Sequence, residues 1–222
     1  MTLDPMTFDL FNDAEPDRTW REPLCAGAVV LRRFALAHEA AILAALDDIT
    51  RAAPFRHMTT PGGFLMSVAM TNCGRYGWVT DRSGYRYDTT DPASGKPWPV
   101  MPDVFLRLAQ AAATSAGFDG FTPDACLINR YQPGTRLSLH QDRNERDFDA
   151  PIVSVSLGIA ATFQFGGARR EDKPLRVPLT HGDVVVWGGP ARLRYHGVLP
   201  LKEATHPVLG NQRINLTFRK AG

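Results

Sequence analysis

The stretch from Ala125 to the C-terminus constrains the fold more than any other part of this chain. CLINRY, RLSLHQD, PIVSVSLG, ATFQFGG, LRVPLTHGDVVVWGG, LRYHGVLPL and RINLTFRK are short, alternating or β-branched runs broken by Gly and Pro. Side chains alternate across a strand, so runs of this length and period suit sheets rather than helices. At least seven such strands with turn signals between them point to a sandwich, jelly roll or barrel. Ahead of this block, Gly27 to Phe34 reads as a strand. His38 to Ala53 places Ile42, Leu43, Leu46 and Ile49 on one helical face. A second helix is expected over Asp103 to Ala116, with Val104, Leu106 and Leu108 inward and Gly117 as its C-cap. Residues 54–102 carry PGGF, CGRYGW, RSGYRY and GKPWP and read as surface hairpins and loops, where binding residues tend to sit. Residues 1–23 read as a loosely ordered arm carrying Phe8, Leu10 and Phe11.

Composition narrows the class. A chain of 222 residues, 44% hydrophobic and 22% charged, suits one sizeable globular domain that needs no disulfide staples. Its apolar runs fall far short of the ~18 residues of a membrane span. The acidic N-terminus (Asp4, Asp9, Asp13, Glu15, Asp17) lacks the basic start of a secretory signal, so a cytoplasmic protein is expected. Cys25, Cys73 and Cys126 form no C-x-x-C pair and read as free thiols in a reducing compartment. The net charge of +2 proves no polyanionic partner, although basic residues cluster after Ala191 and could face phosphate.

Six histidines are present, and one has a partner at strand spacing. His140 and Asp142 sit two apart in RLSLHQD, so an extended strand would project both from one face. His196, in LRYHGV, lies on another expected strand. Two histidines and a carboxylate leave open positions on a six-coordinate iron(II), the set used by non-haem oxygenases. An exposed histidine beside a surface acid would give the same short pattern. His38, His57, His181 and His206 show no such partner and read as structural or surface residues.

In RINLTFR, alternation puts Ile214, Leu216 and Phe218 on one face and Arg213, Asn215, Thr217 and Arg219 on the other. An edge strand with a solvated face would look the same. Two arginines also suit a dicarboxylate, because the guanidinium grips carboxylates in a planar fork. Their Cα atoms would stand roughly 20 Å apart at strand rise, so they would serve different groups. Asn129 and Tyr131 share a face with Leu127 and read equally as ligands or as a strand end entering the Pro133-Gly134 turn.

The ordered combination of N129-R-Y131, H140-Q-D142, H196 and R213-x-N215-x-T217-x-R219 resembles the AlkB family of iron(II)- and 2-oxoglutarate-dependent dioxygenases. H-x-D is unspecific, but its union with the R-x-N-x-T-x-R ending is highly specific. The resemblance runs through nearly the whole chain, including LFNDAEP, TPGGF, MTNCG, GKPWPVMP, SVSLG and HGDVVVWGG. It implies a mainly β fold with flanking helices: a double-stranded β-helix (jelly roll) core over residues 125–219 and a nucleotide-recognition lid within residues 54–102. It implies iron(II) on His140, Asp142 and His196, with O2 and 2-oxoglutarate as cosubstrates. Arg213, helped by Tyr131, would hold the distal carboxylate of 2-oxoglutarate. Asn129, Asn215 and Arg219 would support the end nearest the metal, and Arg219 would also brace Asp142.

The implied activity is oxidative dealkylation of N-alkylated bases in DNA, of the 1-methyladenine and 3-methylcytosine type, with release of formaldehyde. Single strands are the expected substrate because they avoid the cost of unpairing; RNA is a further candidate, and a monomer is expected. Trp78, Tyr85 and Met70 would belong to the lid, and Arg75, Arg82 and Arg170 are candidates for phosphate or base contacts. The family commonly carries an acid two positions after the metal carboxylate, where this chain has Asn144 followed by Glu145. Either selectivity for cationic lesions is weaker here, or Glu145 substitutes. Phe64 stands where the family has a tyrosine. Two alternatives remain: the same chemistry on RNA, protein or a small molecule, and a non-catalytic β-sandwich binding module.

Overall fold

The computed structural model describes residues 19–222. In chain order its strands are β1 (Trp20–Cys25), β2 (Ala28–Arg32), β3 (Arg56–Thr59), β4 (Leu65–Gly74), β5 (Gly77–Asp81), β6 (Gly84–Asp88), β7 (Ala125–Tyr131), β8 (Leu137–His140), β9 (Ile152–Gly158), β10 (Ala161–Phe165), β11 (Leu175–Leu179), β12 (Val184–Trp187), β13 (His196–Val198) and β14 (Arg213–Arg219). The helices are α1 (Glu39–Ala52) and α2 (Asp103–Ser115). Eight strands form an antiparallel sheet in the order β1-β2-β12-β9-β14-β7-β4-β3, and four form a smaller sheet in the order β11-β10-β13-β8. A two-stranded hairpin, β5-β6, stands apart from both. The two larger sheets are the two halves of a jelly roll.

Alternation decides what each face of the large sheet does. Ile214, Leu216 and Phe218 of β14 join Val153, Val155 and Leu157 of β9 in a core that includes Ile42, Leu46 and Ile49 of α1 and Phe105 of α2. The opposite faces, with Val185 and Trp187 of β12, join Phe163 and Phe165 of the small sheet in a second core. β14 is therefore a central strand, bonded to β9 and β7 and buried along its whole length. The edge-strand reading of RINLTFR does not hold.

The helix ends follow local chemistry. Gly117 adopts φ +90°, with Gly117 N–H donating to the Thr114 carbonyl and Phe118 N–H to that of Ala113. This Schellman pattern closes α2 at the expected glycine. The buried face of α2 differs from expectation: Phe105, Leu108, Ala109 and Ala112 point inward, while Val104 and Leu106 are half-buried. Counting large aliphatics missed the alanines, whose small side chains let the helix lie close to the sheet.

Two more expectations change. Phe8, Leu10 and Phe11 lie outside the described residues, while Trp20 to Pro23, the end of the expected arm, belong to β1 and pair with β2. Residues 54–102 are not all surface: β4 is ten residues long, is buried from Val68 to Cys73, and pairs with β7 inside the large sheet. Only β5-β6 and the neighbouring turns form the separate element. Cys73 and Cys126 are buried free thiols, and Cys25 is partly exposed.

Candidate active site

A cavity of about 530 Å³ opens between the two sheets beneath the β5-β6 hairpin. Register explains what lines it. Across β14 and β7, Arg213 stands opposite Tyr131, Asn215 opposite Asn129, and Thr217 opposite Leu127. All six face the cavity, because residues two apart on adjacent strands share a side. In the small sheet, His196 of β13 stands directly opposite His140 of β8.

His140, Asp142 and His196 come together with their ligand atoms within 4.8 Å of one another. Each histidine Nε2 lies 3.7 Å from a different oxygen of Asp142. His140 Nδ1 is 2.9 Å from the Ser138 carbonyl oxygen, and His196 Nδ1 is 3.1 Å from that of Arg194. A carbonyl only accepts, so each Nδ1 carries the proton and each Nε2 turns a lone pair toward the shared space. Burial, reinforced by the neighbouring His140, pushes the His196 pKa down to about 3, so its ring stays neutral. Burial alone would raise the Asp142 carboxyl, but Arg219 and the two histidines hold it well below the usual carboxylate range. Arg219 donates to Asp142 Oδ2 from Nε at 2.8 Å and from Nη2 at 2.6 Å. Two imidazole nitrogens and one ionised carboxylate on one side of a cavity are a fitting donor set for iron(II). β8 ends at His140, so Asp142 is placed by this arginine bracing rather than by strand pleat alone.

The far end of the cavity suits an anion. Arg213 is 1% exposed; its Nη2 donates to Ser156 Oγ at 2.8 Å, and its Nε and Nη1 have no partner among the described residues. Its guanidinium lies 5.0 Å from the centre of the Tyr131 ring, and burial lowers its pKa. A buried guanidinium with two idle nitrogens is costly unless a negative group completes it. Asn129 Oδ1 is also buried without a partner. Asn215 is more committed: its Nδ2 donates to Ser154 Oγ and the Val155 carbonyl, and its Oδ1 accepts from Thr217 Oγ1.

Comparison with known proteins bears on this arrangement. Residues 27–219 match the 2OG-Fe(II) oxygenase superfamily. The chain is 59% identical over 214 residues to the alpha-ketoglutarate-dependent dioxygenase AlkB of Escherichia coli K12, covering 96% of this chain and 98% of that one. The chain belongs to the AlkB family. A further relative is the nucleic acid dioxygenase ALKBH1 of Mus musculus, 34% identical over 124 residues, or 56% of this chain and 32% of that one. The solved structure of OsALKBH1 superposes with a TM-score of 0.79 at 29% identity, covering 90% of this chain and 99% of that one. As an AlkB-family iron(II)- and 2-oxoglutarate-dependent dioxygenase, the protein uses iron(II), 2-oxoglutarate and O2.

The β5-β6 hairpin closes one side of the AlkB-family cavity with Trp78 and Tyr85. Trp78 and Tyr85 stack, with ring centres 5.7 Å apart and planes inclined by 22°. Buried Asn72 ties the hairpin to β4: it accepts from Trp78 N–H at 3.0 Å and donates to the Trp78 carbonyl at 3.1 Å. Asn144 Oδ1 accepts from Trp78 Nε1–H at 3.1 Å. Met70 is no part of the hairpin: it lies on β4 opposite Asn129, as cavity floor. Arg170 does not line the cavity; it is exposed, over the Tyr195 ring. Arg75 and Arg82 are exposed as well, and Phe64 is an exposed residue of the β3-β4 turn. Glu145 cannot replace the missing acid, because it is buried away from the cavity against Tyr87, Arg192 and Arg219. His181, read as structural or surface, stacks on His206 and lies 3.1 Å from Glu39, outside the residues that line the cavity. Sequence reading missed Asn72, Tyr87, Ser154, Ser156 and Arg192. Tyr87 left a signal there as the strand-mate of Tyr85 in YRY, Ser154 and Ser156 in the alternation of SVSLG, and Asn72 in MTNCG.

Proposed function

We propose that this chain oxidatively removes alkyl groups from N-alkylated bases in DNA, releasing formaldehyde from N-methyl groups. The observation that carries this reading is the convergence, in one cavity, of the His140/Asp142/His196 donor set and the anion-seeking Arg213. When bound, iron(II) and 2-oxoglutarate supply O2 activation and oxidation of the N-alkyl carbon, with 2-oxoglutarate leaving as succinate and CO2. His140, Asp142 and His196 would hold the metal. Arg213, with Tyr131 beside it, neutralises the distal carboxylate of 2-oxoglutarate. Asn129, Asn215 and Arg219 support the end nearest the metal. Arg219 keeps Asp142 ionised, and the Nδ1–H bonds of both histidines aim their Nε2 atoms. These residues position the reactants and exclude side reactions, while the metal carries the hard chemistry.

The hairpin serves as a nucleotide-recognition lid. A base lifted out of its stack lies against the Trp78–Tyr85 pair or the His140 ring, where stacking contributes roughly 1–3 kcal/mol. Single-stranded DNA bearing 1-methyladenine or 3-methylcytosine is the preferred substrate, and RNA is a secondary one. Arg170 contacts the strand outside the cavity. The working form is a cytoplasmic monomer; no helix among the described residues is long and apolar enough to cross a membrane.

Turnover on a panel of single- and double-stranded methylated DNA and RNA oligonucleotides, scored by formaldehyde, tests this reading. One formaldehyde per repaired base, with the fastest rates on single-stranded DNA, is the expected result. Turnover of 2-oxoglutarate with no formaldehyde from any oligonucleotide would move the substrate to another class.

A further inference from the structure

Behind the metal donors lies a closed set of buried charges in which Glu145 and Arg192 have no role in the proposed reaction. Glu145 and Arg192 have side chains 2% and 3% exposed and pair at 3.2 Å. Arg192 also donates from Nη1 to the backbone carbonyl of Asp142 at 3.0 Å and from Nε to that of Ala150 at 3.1 Å. Arg219, which grips the Asp142 carboxylate, lies 3.5 Å from Glu145 Oε1. Glu145 is thus the common anion of two arginines. One holds the carboxylate of Asp142 and the other holds its backbone. Two carboxylates and two guanidiniums balance, so no charge in the set is left uncompensated.

The set reaches the lid through one side chain. Tyr87, on β6, donates its hydroxyl to Glu145 Oε1 at 2.6 Å and accepts from Arg219 Nη1 at 3.4 Å. In the hairpin register Tyr87 stands opposite Trp78. The residue expected to stack on the base and the residue that enters the charge cluster are therefore cross-strand neighbours on a two-stranded element.

We propose that Glu145 is a positioning residue that links docking of the β5-β6 hairpin, through Tyr87, to the orientation of the metal-binding carboxylate of Asp142. The inference rests on the assignment of Asp142 as a metal ligand. Without the Glu145 charge, Arg219 has only Asp142 to pair with and draws that carboxylate away from the metal, while Arg192 loses its hold on the Asp142 backbone. Without the Tyr87 hydroxyl the charges stay balanced, but lid position and carboxylate orientation no longer depend on each other.

Two variants test this by separate readouts. In Glu145→Gln, iron(II) affinity measured anaerobically with 2-oxoglutarate should fall about 10- to 100-fold, the usual range for residues that orient a metal ligand. Glu145→Asp, which restores the charge, should recover part of it. In Tyr87→Phe, iron(II) affinity should stay within about threefold of wild type. The ratio of succinate formed to formaldehyde released on a methylated oligonucleotide should rise, as 2-oxoglutarate is consumed without base oxidation. Unchanged affinity in Glu145→Gln, or an unchanged product ratio in Tyr87→Phe, overturns the proposal. If wild-type protein binds iron(II) and 2-oxoglutarate but releases no formaldehyde from any oligonucleotide, the DNA assignment fails. The product ratio is then read on whichever substrate is oxidised, and the affinity arm is unaffected.

Discussion

Arg213 combines a functional need with a structural cost. Its guanidinium is buried with two nitrogens idle and no carboxylate beside it among the described residues. Removing the charge should therefore cost the ligand-free fold little while destroying the anion site. Arg213→Met is expected to raise the KM for 2-oxoglutarate about 100-fold or more, the scale of a lost buried charge pair (~3 kcal/mol). Its thermal midpoint without ligand should be no lower than that of wild type; steady-state kinetics and a melting curve check both. Asn144 matters for a different reason. Its oxygen is taken by the Trp78 indole N–H, and among the described residues the one carboxylate lining the cavity, Asp142, is engaged by Arg219. A cationic base thus meets no free negative group. Asn144→Asp should raise the rate ratio of 3-methylcytosine to 3-methylthymine about tenfold, or ~1.4 kcal/mol. An unchanged ratio in competition assays would show that this position does not set selectivity. The alternation of β14 and the H-x-D spacing made Arg213, Asp142 and His140 legible in the sequence. The lock on Glu145 was not legible, because its partners Tyr87, Arg192 and Arg219 are 58, 47 and 74 positions away and no local pattern joins them.

Among the elements, the β5-β6 hairpin pairs with neither larger sheet and is fastened by specific side chains. It reaches the body through Asn72, through Tyr87, and through Gly77, where any Cβ would run into the Trp98 indole. Trp98 is itself fixed by its Nε1–H to the Asp88 carbonyl. Gly77→Ala should therefore displace the hairpin while leaving the metal donors in place. The KM for a methylated oligonucleotide is expected to rise about tenfold, with iron(II) affinity changed much less. Equal losses in both would mean that the substitution damages the sheets as well. The strands after Ala125 were readable because alternation and Gly/Pro punctuation coincide there. β4 was not: it is buried on both faces from Val68 to Cys73, so it shows no alternation and sits among turn-rich segments that resemble a loop region. β13 has only three residues, and its pairing with β8 is what aligns His196 with His140.

At the scale of the whole molecule, the site is assembled from β7, β8, the turn after it, β13 and β14, so folding and the site stand or fall together. Acid should reveal this in the metal-free protein. The His196 pKa is held near 3 against an ordinary value of about 6.5, so the folded state resists a proton that the unfolded chain accepts. That contribution is complete above about pH 6.5 and is lost as pH falls toward 3, at up to ~1.4 kcal/mol per pH unit. The lowered Asp142 carboxyl acts in the same direction at the acid end. Urea midpoints of the metal-free protein should fall between pH 7 and 4.5, and fall less steeply in His196→Gln; parallel profiles would contradict this. The central claim is that the histidine–aspartate donor set and Arg213 form one site for iron(II) and 2-oxoglutarate together. Anaerobic titration of the full chain with both, followed by visible absorption, tests it most directly. A weak charge-transfer band that saturates at one equivalent of iron(II), needs 2-oxoglutarate, and is lost in both His196→Gln and Arg213→Met is the expected result. No band in wild type, or a band that Arg213→Met leaves at full strength at the same 2-oxoglutarate concentration, would contradict it.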